Sequence, residues 1–240
     1  MLNFFRSLSL LVVVPFMTLL VSVLTLVTAV FLRWPATRVQ AFPRLWGRVI
    51  AWFAGVPVRV EGYENLGPGK SYIFAANHLS QFDIVVLSGF FEYDLRWLAK
   101  KELFKIPLFG RAMLRADYIS VDRSHGRAAM KSLVAAARRI AGGASVIIFP
   151  EGTRSPDGKL QPFKAGAMHL AMQSGVDLVP VAIIGTHEIL PKGKFFARPG
   201  PVLIRVGQPL ITASFNPKQK GELAERLHDE VERLINEAHL

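Results

Sequence analysis

Two patterns of hydrophobic residues divide the chain near residue 55. From Ser7 to Leu32 there is no charged residue, and Leu, Val and Phe dominate. After residue 55, short apolar or β-branched runs alternate with stretches of helical periodicity. This alternation predicts an α/β domain in residues 56–240, with a mixed, largely parallel sheet flanked by helices. We expect residues 1–55 to form an N-terminal membrane-embedded helical segment, the anchor of this domain.

The apolar runs of the second part predict strands at Val58–Val60, Ser71–Ala76, Leu95–Ala99, Tyr118–Val121, Ser145–Phe149, Leu178–Ile184 and Val202–Val206. The helical stretches predict helices at Phe82–Phe91, Gly126–Ala141, Ala165–Gln173 and Lys218–Ala238. Polar segments follow the strands Ser71–Ala76 and Ser145–Phe149. If these two strands are parallel, both segments lie in one crevice at the carboxyl ends of the strands.

The uncharged segment Ser7–Leu32 has 26 residues, whereas a helix needs roughly 20 to span a bilayer. A secretory signal is the alternative interpretation, but its apolar core usually has only about 7–15 residues. We therefore expect an uncleaved anchor. Because Pro15 permits a kink, the sequence leaves open whether the helix crosses the bilayer or lies in one leaflet.

The segment Ala36–Gly55 has a helical stripe of apolar residues, while Arg44 and Arg48 project elsewhere, one turn apart. The stripe consists of Phe42, Trp46, Val49, Ile50 and Phe53. This pattern predicts an amphipathic helix at the membrane interface, where arginines meet anionic headgroups. The alternative is a core helix of the soluble domain.

The formal net charge of +11 is compatible with a nucleic acid, an anionic membrane or a phosphorylated substrate as the partner. The first 60 residues contain six arginines and no acidic residue. These arginines flank strongly apolar sequence, which favours lipid over nucleic acid, and no zinc-finger or RNA-reading motif is recognisable. The excess of arginine after the anchor favours a domain on the cytoplasmic face of the inner or plasma membrane.

The chain has no cysteine, which excludes disulfides, a thiolate nucleophile and zinc sites of the cysteine type. A Gly-x-Ser-x-Gly elbow is absent as well, so the usual covalent nucleophiles are missing. Direct transfer to an activated substrate hydroxyl is then the simpler chemistry. The composition leaves the compartment undecided.

The segment after the strand Ser71–Ala76 contains His78 and Asp83. A spacing of five residues does not place two side chains on one helical face, so His78 must lie in a turn and Asp83 in the first helical turn. Asp83 can then accept a hydrogen bond from one ring nitrogen and leave the other as a base near neutral pH. A structural histidine beside a helix-terminal acid is the alternative, and metal binding by this pair also stays open.

The segment after the strand Ser145–Phe149 runs from Glu151 to Ser155. Gly152 permits close approach of a ligand to the backbone, Thr153 offers a hydroxyl, and Arg154 offers a planar fork for two phosphate oxygens. This combination predicts a phosphate-binding loop. The alternative is a solvated turn completed by residues 156–158.

Four blocks in this order resemble the glycerolipid acyltransferase family, and within it the 1-acyl-sn-glycerol-3-phosphate acyltransferases. They are Asn77–Asp83, Tyr118–Arg123, Phe149–Ser155 and Val179–Ile183, and a segment around Lys100 and Pro107 is also similar to the family. The resemblance covers residues 58 to 206. Its specificity comes from the order and combination of the blocks, since the second and fourth are weak taken singly.

The resemblance implies that His78 deprotonates the free sn-2 hydroxyl of a lysophospholipid, which attacks an acyl thioester, and that Asp83 orients His78. It also implies a phosphate-binding set of Arg154, Lys100 and Arg123, with Glu151, Gly152 and Thr153 in the acceptor-binding loop. A structural role in shaping that loop is an equal alternative for Glu151. The donor would be acyl-CoA or an acyl-carrier protein as co-substrate, without a resident cofactor or metal.

Two other interpretations stay open at this point. One is a member of the same family that acts on another acceptor, such as glycerol 3-phosphate or a lyso-ornithine lipid. A non-catalytic, membrane-tethered protein that binds anionic lipids would also account for the basic N-terminal region. The sequence does not specify the donor, the chain length or the oligomeric state.

Overall fold

The computed structural model describes residues 2–122, 127–216 and 218–238. The chain begins with helix α1 (Leu2–Val30), followed by the short helix α2 (Ala36–Val39) and by α3 (Ala41–Ala54). Helix α3 ends at Gly55, whose φ of 70° is the left-handed conformation that closes helices. The predicted helix Ala36–Gly55 is therefore present as two helices, with a break at Gln40.

The rest of the chain alternates strands and helices. The strands are β1 (Val58–Glu61), β2 (Ile73–Ala76), β3 (Leu95–Lys100), β4 (Ile119–Val121), β5 (Ser145–Ile148), β6 (Leu178–Ile184) and β7 (Val202–Val206). The helices are α4 (Phe82–Phe90), α5 (Phe109–Arg115), α6 (Arg127–Ala141), α7 (Ala165–Ser174), α8 (Thr186–Ile189) and α9 (Lys220–Asn236). Short 3-10 turns lie at Tyr63–Asn65, Lys101–Lys105 and Thr212–Ser214.

Within the described residues the strands form one sheet in the order β1-β7-β6-β2-β5-β3-β4. Only the β6–β7 pair is antiparallel among the pairs in this part of the chain. The prediction of a mixed, largely parallel sheet is thus confirmed. Strands β2 and β5 are parallel neighbours, with Phe74 opposite Ile147. The two polar segments that follow them therefore leave the sheet at the same edge.

The strand predictions agree with the structure to within two residues at each end. Each predicted helix is present, although Gly126, the predicted first residue of α6, lies outside the described residues. Helices α5 and α8 were not predicted. Both are short, at 7 and 4 residues, and too short to show a clear helical repeat.

The sheet is covered on both faces, so its central strands are apolar throughout. Along β2, Phe74 and Ala76 contribute to a core shared with α3 and α4, whereas Ile73 and Ala75 contribute to a core shared with α6, α7 and α9. This division follows from the period of two in a strand, which points successive side chains to opposite faces. The sheet edge is consequently rigid where the polar segments begin.

Helix α3 packs closely onto the α/β domain. Ile50, Ala51 and Ala54 belong to the same core as Phe74, and a Cβ atom added to Gly47 would lie only 2.5 Å from the backbone nitrogen of Gly89. Glycine at position 47 therefore permits the backbones of α3 and α4 to touch.

The two arginines of α3 are bonded to the domain as well. Arg48 donates to the carbonyl oxygen of Gly89 (2.9 Å) and Arg44 to that of Glu92 (3.2 Å). Trp52 on the same helix is 75% exposed. Contact of α3 with a membrane, and the division between residues 1–55 and 56–240, both stay predictions.

One helix in the described part of the chain, Arg6–Val30, is long and apolar enough to cross a membrane, with a mean hydropathy of 2.7. It packs on α3, where the indole nitrogen of Trp46 donates to the hydroxyl of Thr18 (3.0 Å). Many of its apolar side chains are exposed, including Val12 at 69% and Phe16 at 62%. Length and composition support a membrane segment but do not determine its depth.

Candidate active site

The end of β2 is fixed by the side chain of Asn77, which is completely buried. Its amide nitrogen donates to the carbonyl oxygen of Ile183 (2.9 Å), and its amide oxygen accepts from the backbone nitrogen of Ile183 (2.7 Å). The side chain thereby replaces the next rung of the β2–β6 ladder. The chain can leave the sheet at this point without leaving polar groups of β6 unpaired.

His78 and Asp83 form the side-chain pair that their spacing predicts. The distance from His78 Nδ1 to Asp83 Oδ2 is 2.7 Å. Asp83 lies in the first turn of α4 and is completely buried. A hydrogen on Nδ1 that points at the carboxylate leaves Nε2 of the neutral ring with a free lone pair, which suits a general base. No described residue hydrogen-bonds Nε2.

Four donors hold the Asp83 carboxylate in place. Oδ2 accepts from His78 Nδ1 and from the backbone nitrogens of Leu79 (2.8 Å) and Ser80 (2.9 Å). Oδ1 accepts from the hydroxyl of Thr186, at 2.5 Å. Both oxygens are thus used within the protein, as expected of a carboxylate that orients the imidazole ring rather than binding a metal.

The imidazole ring of His78 lies flat on the ring of Phe149. The ring centroids are 3.9 Å apart and the planes differ by 13°. The side chain of His78 is 16% exposed, so one edge of the ring remains accessible. Stacking and the Asp83 bond together fix both the plane and the rotation of the ring.

Glu151 connects the two polar segments. Its Oε1 accepts from the backbone nitrogen of His78 at 2.6 Å, whereas its Oε2 is buried and has no partner among the described residues. Burial raises the pKa of this carboxyl to about 7; hydrogen bonds from the backbone of His78 and Gln161 act in the opposite direction. Glu151 therefore contacts the turn that contains His78. This contact favours a structural role for Glu151 over contact with a substrate.

The loop from Gly152 to Ser155 lies against the His78 turn. The backbone nitrogen of Ser155 donates to the carbonyl oxygen of His78 at 2.8 Å. Gly152 has φ of 74°. A Cβ atom at this position would also lie 2.8 Å from Nζ of Lys164. The backbone conformation therefore favours glycine here, and the end of the Lys164 side chain lies close above it.

Cationic side chains gather on this loop. Lys192 Nζ donates to the carbonyl oxygen of Arg154 at 2.8 Å and lies 3.5 Å from the hydroxyl of Thr153. Lys164 lies over Gly152, and the guanidinium of Arg154 has no acidic partner in the described ranges. Three cations beside a glycine-containing turn form a suitable site for a phosphate group.

Two residues predicted to bind phosphate lie elsewhere or outside the description. Lys100 ends β3, one strand beyond β5, and its Nζ lies 3.7 Å from a carboxylate oxygen of Glu102. Its side chain is more than half exposed, and no described contact joins it to His78 or Arg154. Arg123 lies outside the described residues.

Sequence reasoning missed Thr186, Lys164, Lys192 and the stacking role of Phe149. The three polar residues follow β6 or precede α7, at 103, 86 and 114 positions from Asp83 or His78. Thr186 and Lys192 reach the site because β6 is the neighbour of β2, and Lys164 reaches it because β5 is the other neighbour of β2. One usable signal existed for Thr186, since Gly185 directly after the buried run Leu178–Ile184 marks a turn at the same sheet edge as His78.

Comparison with known proteins agrees with this geometry. Residues 57–184 match the family model described as Acyltransferase. A 1-acyl-sn-glycerol-3-phosphate acyltransferase of Limnanthes douglasii is 34% identical over 208 residues, which cover 85% of this chain and 73% of that protein. One of the same name from Pseudomonas aeruginosa is 33% identical over 186 residues, covering 75% and 71% of the two chains.

The fold comparison leads to the same family. The crystal structure of PlsC, the 1-acyl-sn-glycerophosphate acyltransferase of Thermotoga maritima, superposes with a TM-score of 0.83 at 28% identity. The match covers 98% of this chain and 95% of that one. The sheet topology and these matches define an α/β enzyme that transfers acyl groups. The chain belongs to the acyltransferase family.

Proposed function

We propose that this enzyme transfers an acyl chain from an acyl thioester to the free sn-2 hydroxyl of 1-acyl-glycerol 3-phosphate, giving phosphatidic acid for phospholipid biosynthesis. The observation that carries the proposal is the His78–Asp83 pair, 2.7 Å apart, beside a turn with three cationic side chains. The relatives named 1-acyl-sn-glycerol-3-phosphate acyltransferases support this acceptor.

In this reaction His78 acts as the general base. Nε2 takes the proton of the acceptor hydroxyl while the oxygen attacks the thioester carbonyl, and Asp83 stabilises the imidazolium that forms. The new carbon–oxygen bond then remains, the carbon–sulfur bond breaks, and the proton on Nε2 passes to the departing thiolate. Because a thiolate leaves readily, no strong general acid is needed.

The phosphate of the acceptor is held by the turn that follows β5. Arg154 offers two parallel donors, and Lys164 and Lys192 add charge on either side of it. Glu151 positions the His78 turn rather than the phosphate, since its Oε1 accepts from the backbone nitrogen of His78 and its Oε2 is buried. Lys100 and Arg123 remain candidates for longer-range attraction.

The surroundings of the reaction follow from the apolar N-terminal region. Helix α1 associates the enzyme with a membrane, which supplies the lipid acceptor. The excess of arginine after this helix supports a catalytic domain on the cytoplasmic face. There the donor is acyl-CoA or an acyl-carrier protein, and it acts as a co-substrate rather than a resident cofactor.

Acyl transfer by the purified full chain tests the proposal. A labelled acyl-CoA is presented with 1-acyl-glycerol 3-phosphate, with glycerol 3-phosphate and with a lyso-ornithine lipid, and the acylated products are separated. We expect 1-acyl-glycerol 3-phosphate to be the preferred acceptor. A preference for either other acceptor would contradict the proposed substrate but not the chemistry.

The catalytic assignment is tested by His78→Ala, with His228→Ala on helix α9 as the matched control. We expect His78→Ala to lower turnover by roughly 10²–10⁴-fold, the usual contribution of a positioned base. His228→Ala should retain activity. Equal turnover in wild type and His78→Ala would remove His78 from the mechanism.

A further inference from the structure

The loop between α8 and β7 carries two exposed aromatic side chains. Phe195 is 78% exposed and Phe196 is 53% exposed. Among the large apolar side chains in the described ranges, only Phe195, Phe31 and Trp52 are at least 75% exposed, and the last two lie in the N-terminal region. Exposed aromatic residues close together are unusual on a surface that faces only water.

We call residues 191–198 of this loop the aromatic loop. Its first residues are bonded to the turn that contains His78 and Ser80. Ser80 donates through its hydroxyl to the carbonyl oxygen of Leu190 (2.7 Å) and forms an antiparallel bridge with Pro191. The backbone nitrogen of Arg198 donates to Ile189 (2.8 Å), which closes the loop. The aromatic tip is thus held at a defined place next to the residues that orient Asp83.

The other end of the aromatic loop contacts the apolar helix α1. The hydroxyl of Ser7 donates to the carbonyl oxygen of Ala197, and both groups are buried. The residues of α1 that follow Ser7 include Leu8, Leu11 and Val12, which are 45%, 48% and 69% exposed. The aromatic side chains therefore adjoin an apolar helical surface that is itself a candidate membrane segment.

The charges of the loop indicate what kind of surface it meets. Lys192, Lys194 and Arg198 lie on it, and no acidic residue occurs between Ile189 and Ile204. Aromatic rings between cationic side chains are typical of segments that lie at the headgroup level of a bilayer. Anionic lipids attract such cations in addition to the apolar insertion.

We propose that the aromatic loop docks on an anionic bilayer with Phe195 inserted at the headgroup level, and so brings the His78 turn to the lipid acceptor. The inference rests on the proposed function for the identity of that acceptor, but the docking itself does not require it. The loop acts as a second membrane contact beside α1. Because α1 alone can hold the chain on a bilayer, binding of the whole protein does not report on the loop, and a local measurement is needed.

The absence of cysteine makes a local measurement possible, since a single introduced thiol is labelled uniquely. Phe195→Cys is labelled with an environment-sensitive fluorophore. The control is Ile211→Cys, at an equally apolar position that is 61% exposed. Ile211 follows Leu210, which pairs with Leu178 at the start of β6, so it lies at the end of the sheet opposite His78.

Both labelled full-length proteins are reconstituted in vesicles of phosphatidylcholine with phosphatidylglycerol. We expect the probe at residue 195 to be quenched by a lipid-attached quencher and protected from aqueous iodide, and the probe at residue 211 to show the reverse. Equal iodide access at both positions would overturn the proposal. A shift of the residue-195 probe that depends on protein concentration in lipid-free detergent would also overturn it, because it would indicate contact between copies.

Enzyme kinetics provide a second, independent test of the docking. Phe195→Ser should raise the apparent KM for acceptor in vesicles by roughly tenfold or more, as expected for loss of a phenyl ring that the bilayer buries. The kcat of this variant on a short-chain soluble acceptor should equal that of wild type. Ile211→Ser should change neither. An unchanged vesicle KM for Phe195→Ser would contradict docking. If wild type acylates neither acceptor, the proposed function fails, while the fluorescence result still decides the docking.

Discussion

The two halves of the site are built in different ways, although they meet at one sheet edge. On one side Asp83 is completely buried and accepts four hydrogen bonds, which fix the His78 ring. On the other side Arg154, Lys164 and Lys192 are long side chains with accessible ends around an exposed glycine turn. The proposed base is therefore held by several hydrogen bonds, whereas the proposed phosphate site consists of longer and more accessible side chains.

This difference has a chemical reason. Proton transfer requires the base to be oriented within a fraction of an ångström, and the bond to Asp83 and the stacking on Phe149 supply this orientation. A phosphate is a larger anion with several equivalent oxygens, which flexible cations can reach from different directions. The comparison predicts that changes in the His78 half lower kcat, whereas changes in the cationic half raise the KM for the acceptor.

The largest effect should come from Asp83→Asn. The amide keeps the shape of the side chain, but it removes the negative charge that stabilises imidazolium and it can favour the wrong ring tautomer. We expect kcat to fall by roughly 10²–10⁴-fold with little change in the KM for the acceptor. Steady-state kinetics on detergent-solubilised enzyme measures both. A large rise in KM without loss of kcat would contradict the division between the two halves.

The next effect concerns Glu151, which joins the halves. Its pKa is raised from 4.5 to about 7, so its contribution to stability is complete below about pH 4.5 and decreases as the pH rises towards 7. Relative to Glu151→Gln, the free energy of unfolding of wild type should fall by on the order of 3 kcal/mol across this interval and level off above it. Denaturant titrations of both proteins at several pH values measure the difference.

A difference between wild type and Glu151→Gln that does not vary with pH would show that folding does not shift the pKa of this carboxyl. The glutamine can still accept a hydrogen bond from the backbone nitrogen of His78, so the comparison isolates the charge.

A smaller effect is expected for Arg154→Ala. Loss of a charged hydrogen bond to phosphate should weaken acceptor binding by about 1.5–3 kcal/mol, while kcat remains close to that of wild type. Arg154→Lys serves as the matched variant, because it keeps the charge and loses the planar fork. Acceptor KM values for the three proteins test this, and an unchanged KM in Arg154→Ala would exclude Arg154 from the site.

The smallest effect should follow from Thr186→Val. It removes the described donor to Asp83 Oδ1, which should lower the free energy of unfolding by about 1–2 kcal/mol. It should also lower kcat modestly, because Asp83 then holds the His78 ring less firmly. Thr186→Ser keeps the hydroxyl and should keep the wild-type kcat. A loss in Thr186→Ser that is absent from Thr186→Val would indicate packing by the methyl group instead.

The order of strands and helices could be predicted from the sequence because each depends on local periodicity. Apolar runs such as Leu178–Ile184 are buried on both faces of the sheet and are unmistakable as strands. Helix α8 has only four residues, so it leaves no periodic signal. The role of α3 was also not decided by its pattern, because one apolar stripe suits either a core or a membrane surface.

Within the site, the sequence determined the chemistry of the residues that are close together along the chain. His78 and Asp83 are five positions apart, so the turn that separates them fixes their geometry. The block from Glu151 to Arg154 indicated anion binding through its residue types alone. The pairing of these segments needed one further assumption, that β2 and β5 are parallel, and the structure confirms it.

Only the tertiary structure assigned partners that are distant in sequence. Thr186 meets Asp83, Glu151 meets the backbone of His78, and Lys192 meets Arg154 because β6, β2 and β5 are neighbours in the sheet. Strand order is decided by the packing of helices onto both faces, which is a property of the whole chain. Local patterns therefore specified which groups are present, and the sheet specified which of them touch.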